Sequence, residues 1–193
     1  MLTKNHIAFK EWASIVNLLG GGEQILILRK GGIHEKGKRF DVAHDEFFLF
    51  PTFEHQNPAD LTPAGARVLK KILDKKPDPA IVPVQYYCMV DDSFWIANEK
   101  ALERLEPLHA WSRECIKKRF EWGDEKGLFG IIVRIFSYPR ALPLENLKRY
   151  GGCRSWVELE KPLETISLKP VLSDKAFQEN KEKIRTAIGV ILK

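Results

Sequence analysis

The stretch Leu128-Phe129-Gly130-Ile131-Ile132-Val133-Arg134-Ile135-Phe136-Ser137-Tyr138 decides the fold class. β-Branched and aromatic residues dominate it, and Ile131, Val133 and Ile135 alternate against Arg134, the period-two signature of a strand. It is the longest strand candidate in the chain. Four shorter runs of the same kind lie at irregular distances from it. Gln24 to Arg29 is a brief apolar run bounded by glycines. Glu46 to Phe50 is stopped by Pro51. Ile81 to Val90 leads into Asp91-Asp92-Ser93, read as a turn before Phe94-Trp95-Ile96, and Ser155 to Leu159 follows.

Helices separate these runs. Phe9, Trp12, Ala13, Val16 and Leu19 recur every three or four residues, which predicts an amphipathic helix over 8–19 ended by Gly20-Gly21-Gly22. Thr62-Pro63 is a helix start, with a capping hydroxyl and a proline at the first helical position. Asn98 caps a short helix, residues 109–121 read as helical, and Ser173 caps a last helix carrying Phe177, Ile184, Ile188 and Ile191 on one stripe. No regular strand–helix–strand alternation appears, so a doubly wound parallel sheet is not expected. The pattern predicts an α+β fold: a mixed, largely antiparallel sheet or a partly closed β-barrel with flanking helices. Repeats, low-complexity segments and linkers are absent, so residues 1–193 read as one domain.

Composition narrows the class. Apolar residues make up 44% and charged residues 30%, as in folded globules and unlike disordered chains. Cys88, Cys115 and Cys153 are odd in number and far apart, which speaks against a disulfide framework and a zinc ribbon and for a reducing cytosol. No apolar window reaches membrane-spanning length. The formal net charge of +5 and the pI near 9.0 are compatible with a polyanionic partner. The charge is clustered: Arg29 to Arg39 holds five Lys/Arg in eleven positions, and Lys117-Lys118-Arg119 falls on a helix.

The residues suited to chemistry gather in two places. Between Ile27 and Gln56 a strand delivers Arg29 and Lys30 into Gly31-Gly32, where backbone N–H groups and cations can face a phosphate or carboxylate. The alternative is a tight hairpin with exposed charges. The same stretch returns as an apolar strand ending in Thr52, Glu54, His55 and Gln56, polar groups at a strand mouth. In the third quarter, Arg134-x-Phe136-x-Tyr138 and Arg149-Tyr150-Gly151-Gly152-Cys153-Arg154-Ser155-Trp156 interleave cations, rings and glycines, as nucleic-acid binding requires. Buried rings in a strand pair would give the same letters, and for Trp156 a core position is the simpler reading. His34, His44 and His55 lack metal-ligand spacing, so no metal site and no cofactor are expected. Pro77-Asp78 with Asp124-Glu125-Lys126 matches a short nuclease pattern, but 123–127 reads as a loop rather than the strand that pattern requires.

Four segments resemble an uncharacterised prokaryotic family, domain of unknown function 1802. They are Lys10-Glu11-Trp12-Ala13, Leu28-Arg29-Lys30-Gly31-Gly32-Ile33, Leu49-Phe50-Pro51-Thr52-Phe53-Glu54-His55-Gln56 and Tyr150-Gly151-Gly152-Cys153-Arg154-Ser155-Trp156-Val157. The resemblance implies no activity. Trp12, Gly20 to Gly22, Arg29, Ile131 to Ile135, Ser155 to Leu159 and Lys161-Pro162 are similar in order to the ASCH and PUA-like small β-barrels. That resemblance implies a PUA-like barrel that binds RNA or modified bases, or a small hydrolase using Lys, Thr and Glu. The group's Gly-x-Lys-x-x-Glu-x-Arg signature is not met, because Gly22 is followed by Glu23-Gln24.

Two functional readings follow. In the first, Arg29, Lys30, Gly31, Gly32, Arg134, Tyr138, Arg154 and Trp156 form a basic cleft for RNA, DNA or a nucleotide, joined by His55. In the second, the protein is a metal-independent hydrolase or nuclease acting on nucleotides or nucleic acid, with Lys30 or His55 as base, Thr52 positioning substrate and Glu35 moving a proton. A third alternative is an accessory module that docks through the C-terminal helix stripe. No membrane partner is expected.

Overall fold

Strand β4 (Ile81–Ile96) and strand β5 (Leu128–Glu145) form an antiparallel pair from Ile96↔Leu128 to Ile81↔Glu145, the backbone of the sheet. The computed structural model describes residues 1–30 and 43–189. Around this pair lie β1 (Lys4–Trp12), β2 (Leu26–Arg29), β3 (Glu46–Thr52), β6 (Trp156–Glu164) and the two-residue β7 (Lys169–Pro170). The sheet order is β2-β5-β4-β3-β1-β6, with β7 beside β5. Among the described residues only β1 and β3 pair in parallel, and every other ladder is antiparallel. Five α-helices complete the described chain: α1 (Ala13–Gly20), α2 (Pro63–Leu73), α3 (Glu99–Leu105), α4 (Arg113–Glu121) and α5 (Asp174–Ile188).

Burial on both faces explains the central strands. Successive residues of a strand point to opposite faces. Phe47 and Leu49 enter one apolar cluster, whereas Phe48 and Phe50 enter the other. Phe9 and Ala8 of β1 divide in the same way. The run Phe47-Phe48-Leu49-Phe50 is therefore continuous rather than alternating, as expected where a strand is covered on both sides. Each fully buried phenylalanine contributes about 1.5–3 kcal/mol relative to exposure.

Three local expectations are corrected. Residues 8–12 belong to β1, not to a helix, and α1 starts only at Ala13. Phe9 and Trp12 match the helical stripe by accident of spacing, while the pairing of β1 with both β3 and β6 fixes them as strand. Asp91-Asp92-Ser93 is not a turn. Strand β4 passes through it with a bulge between Val90 and Asp92, and α5 neutralises the two carboxylates, Lys181 lying 2.5 Å from Asp91 and Arg185 3.3 Å from Asp92. The predicted helix over 109–121 is shorter, beginning at Arg113 after the Ser112 cap. The caps expected at Thr62, Asn98 and Ser173 each accept a backbone N–H.

The sheet curls without closing into a barrel. Edge strand β2 has no ladder to β1, yet the Arg29 guanidinium at its end donates to the Lys10 carbonyl of β1. The gap between those two strand ends is the position of the site.

Candidate functional site

A cavity of about 410 Å³ opens where β1 and β3 end side by side, at the register Trp12↔Thr52. Arg29 and Lys30 enter it from the end of β2, Arg119 and Trp122 from the end of α4, and residues 152–155 from the loop before β6. The volume is in the range of small-molecule sites. Five Lys/Arg side chains line it against two carboxylates, Glu11 and Glu54. A cation excess in a concave, partly apolar setting selects for anions.

The floor is built from two buried charges that follow one another on β1. Glu11 is 1% exposed. Its Oε1 accepts the Trp12 backbone N–H at 2.8 Å, and its Oε2 lies 3.7 Å from Arg29 Nε without a hydrogen bond. The Arg29 guanidinium also sits 4.5 Å from the centre of the Phe9 ring. A buried carboxylate needs a cation beside it, so Arg29 is held by the floor it covers. Lys10 is 6% exposed, and its ammonium donates to the Tyr150 and Gly152 carbonyls at 3.0 Å each. Its backbone N–H donates to Ser155 O at 2.8 Å. One residue thus fixes the 150–155 loop from both sides, with Gly152 taking a positive φ of 86° that a side chain would strain.

The walls are aromatic and basic. Arg119 stacks its guanidinium 3.7 Å from the Trp111 ring centre, and Trp111 meets Trp12 edge-on at 4.8 Å. Trp122 is half exposed. Arg154 is exposed and forms no ion pair among the described residues. His55, also exposed, occupies a turn with φ of 56°, a left-handed conformation that stores about 1 kcal/mol or more in a non-glycine residue. Thr52 shapes that turn, its hydroxyl accepting the Glu54 N–H and its carbonyl accepting from the Gln56 amide.

Lys30 has a different post. Its ammonium donates to the carbonyls of Phe120, Glu125 and Gly127, which ties the end of α4 to the start of β5. Burial lowers its pKa from the ordinary lysine value, opposed by the nearby Glu125 carboxylate.

The cavity therefore brings together Arg29, Lys30, Thr52, His55 and Arg154. Three other residues of the expected cleft lie elsewhere. Arg134 packs on α5, donating to Leu172 O at 2.9 Å and Asp174 at 2.6 Å with its guanidinium over the Phe177 ring. Tyr138 belongs to the second apolar cluster and donates to the Glu164 carbonyl, and burial raises its pKa. Trp156 packs edge-on to Phe9, Phe47 and His44 and lines an adjoining cavity. Gly31, Gly32 and Glu35 lie outside the described residues. Lys10 and Glu11 were not singled out by the residue patterns, because a helical reading of 8–19 places them on a solvated face, and Arg119 stood out only as the end of the basic run Lys117-Lys118-Arg119.

The family model described as domain of unknown function (DUF1802) matches residues 8–183. No curated protein matches the chain. Among solved structures it is similar to ASCH from Zymomonas mobilis, with 10% identity, a TM-score of 0.46 and 93% of each chain covered. A single-substitution variant of that protein gives 9% identity and a TM-score of 0.47, with 91% of this chain and 96% of that one covered. Among the described residues, no helix is long and apolar enough to cross a membrane.

Proposed function

We propose that this chain, which belongs to the DUF1802 family, binds a nucleotide or a nucleic-acid phosphate in the cavity at the ends of β1 and β3. One observation carries the reading: Arg29, Arg119 and Arg154 line a single cavity with the rings of Trp12 and Trp122. Guanidinium groups suit phosphate oxygens, and indole faces suit bases. Arg154 is exposed at the rim and free to engage a phosphate, whereas Arg29 and Arg119 set the potential from within.

The test is a titration of intrinsic tryptophan fluorescence with nucleotides and short single strands at several salt concentrations. Binding through Z phosphates gives a slope of log K on log salt of about −0.7Z for single strands. Absence of any spectral or calorimetric response at low salt would overturn the proposal.

The hydrolytic reading has narrower support. Thr52 and His55 line the same cavity, but the Lys30 ammonium is committed to three carbonyls, which leaves His55 as the base. Product formation from an end-labelled oligonucleotide, lost in His55→Gln, would favour it over binding alone.

A further inference from the structure

We infer that the ligand of this cleft is a single-stranded oligonucleotide, which continues past Arg154 into a second cavity beside the first. The inference rests on the reading of the first cavity as a nucleotide site. The second cavity, about 580 Å³, lies along the face of β6, and Arg154 lines both. The loop carrying Arg154 forms the divide between them. Lys10 holds that divide through Tyr150 O, Gly152 O and Ser155 O, so the spacing of the two cavities is built into the floor of the first.

The second cavity is furnished for a base rather than for a second isolated phosphate. Trp156 and His44 meet edge-on at 4.9 Å, and Arg149 lies 5.3 Å from the centre of the Tyr150 ring. Tyr150 itself is buried, so the planes on which a base can stack are the half-buried Trp156 and His44 rings and the Arg149 guanidinium that covers Tyr150. Glu158 and Glu160, exposed on alternate positions of β6, also line it, and Glu160 lies 3.8 Å from Arg149. Carboxylates repel a phosphate but accept hydrogen bonds from base amino groups. A cation shared between two ring-lined cavities fits the phosphate that joins two nucleotides, with a base on either side. A mononucleotide would leave the second cavity unused.

The experiment compares the full chain with a 5′-mononucleotide, a trinucleotide and a hexanucleotide, as RNA and as DNA, by fluorescence titration or calorimetry. A base stacked in the second cavity should tighten the trinucleotide over the mononucleotide by about tenfold or more. Arg149→Ala, at a half-exposed side chain outside the first cavity, should erase most of that gain and leave mononucleotide affinity unchanged. Equal affinity for mononucleotide and oligomers overturns this inference while leaving the proposed function standing. So does an oligomer gain indifferent to Arg149→Ala when His44→Ala is silent too. Failure of every probe to bind removes both. A larger gain for RNA or for DNA identifies the source of the strand.

Discussion

The Nε of Arg29 lies 3.7 Å from the Oε2 of Glu11, and the same guanidinium donates to the carbonyl of Lys10 across the gap between β2 and β1. Arg29 is therefore both a wall of the cavity and the clasp of the curled sheet. Charge removal at this position has a structural consequence, because Glu11 is 1% exposed and would be left without its cation. Breaking such a pair costs about 3–5 kcal/mol, toward the lower end here because Arg29 remains partly exposed. Arg29→Gln should lower the melting temperature by several degrees. The double variant Glu11→Gln with Arg29→Gln should be less destabilised than the sum of the two single changes. Strict additivity in that cycle would show that the two groups do not interact.

Cys153 offers a direct reporter of occupancy. Cys88 and Cys115 are buried, whereas Cys153 is exposed and lines the first cavity beside Arg154. A maleimide or disulfide reagent should modify the native protein at Cys153 alone. Saturating oligonucleotide should slow that reaction several-fold, and high salt should restore it. Arg154→Ala should weaken binding by about tenfold and reduce the salt slope by about one. The melt should stay unchanged, since the Arg154 side chain bonds to nothing among the described residues and its backbone bond to Gly152 O survives the change. An unprotected Cys153 in saturating ligand would remove this cavity as the place of binding.

Much of the fold was readable because strands and caps leave local marks. The alternation at Ile131, Val133 and Ile135 and the capping groups of Thr62, Asn98 and Ser173 depend on near neighbours. Strand β1 was not readable, because its identity depends on partners about 40 and 150 residues away in β3 and β6. The site divides along the same line. Arg29, Thr52, His55 and Arg154 stood out as cations or polar groups at strand ends and turns, where the chain is exposed. Lys10 and Glu11 stood out only as part of a family resemblance, since nothing in Phe9-Lys10-Glu11-Trp12 says that two adjacent charges will be buried. Arg134 was legible only in part: alternation shows that it leaves the sheet's core face but not that α5 will be waiting for it.

His109 makes acid stability a measurable property. Burial lowers its pKa to about 4, against the raising effect of the Glu106 charge. Its Nδ1 accepts that N–H at 3.2 Å, and its Nε2 is buried without a hydrogen bond. Between pH 6.5 and about 4 the unfolded chain therefore binds a proton that the folded chain does not. Stability is therefore unaffected by this group above pH 6.5 and falls as the pH drops through this window, the loss reaching about 3 kcal/mol at its lower end. His109→Asn, which keeps an acceptor for the Trp111 N–H, should flatten the acid limb between pH 7 and 4. Parallel profiles for the variant and the wild type would place the acid sensitivity elsewhere.

Glu46 adds a second, separable acid response. Burial alone would raise its pKa, but the Leu2 N–H, the Tyr87 hydroxyl and the N-terminal ammonium together hold it below the usual value of 4.5. A carboxylate with a depressed folded pKa stabilises above its unfolded pKa, and that stability is lost as the pH falls through the folded value. Glu46→Gln should therefore destabilise at neutral pH and converge on the wild type once the pH falls below the lowered folded pKa. A gap that does not narrow as the pH is lowered would assign the loss to packing rather than charge.

The C-terminal helix tests whether Arg134 serves the fold or the ligand. Phe177 and Ile184 of α5 are buried in the same apolar cluster as Ile131 and Val133, and Ala187 joins them. Arg134 secures the start of the helix through Asp174 and Leu172 O, and Lys181 and Arg185 secure its middle to the bulge of β4. The described part of the stripe thus covers the protein's own sheet rather than facing outward. Ile191 lies outside the described residues. Removing residues 173–193 should expose that cluster and give an insoluble or non-cooperative chain. Phe177→Ala should destabilise by about 3–5 kcal/mol, and Arg134→Ala should lower the melting temperature without altering nucleotide affinity. The affinity measurement is the decisive one. If Arg134→Ala weakened binding as much as Arg154→Ala while leaving the melt unmoved, Arg134 would belong to the ligand surface, and its bond to Asp174 would be incidental.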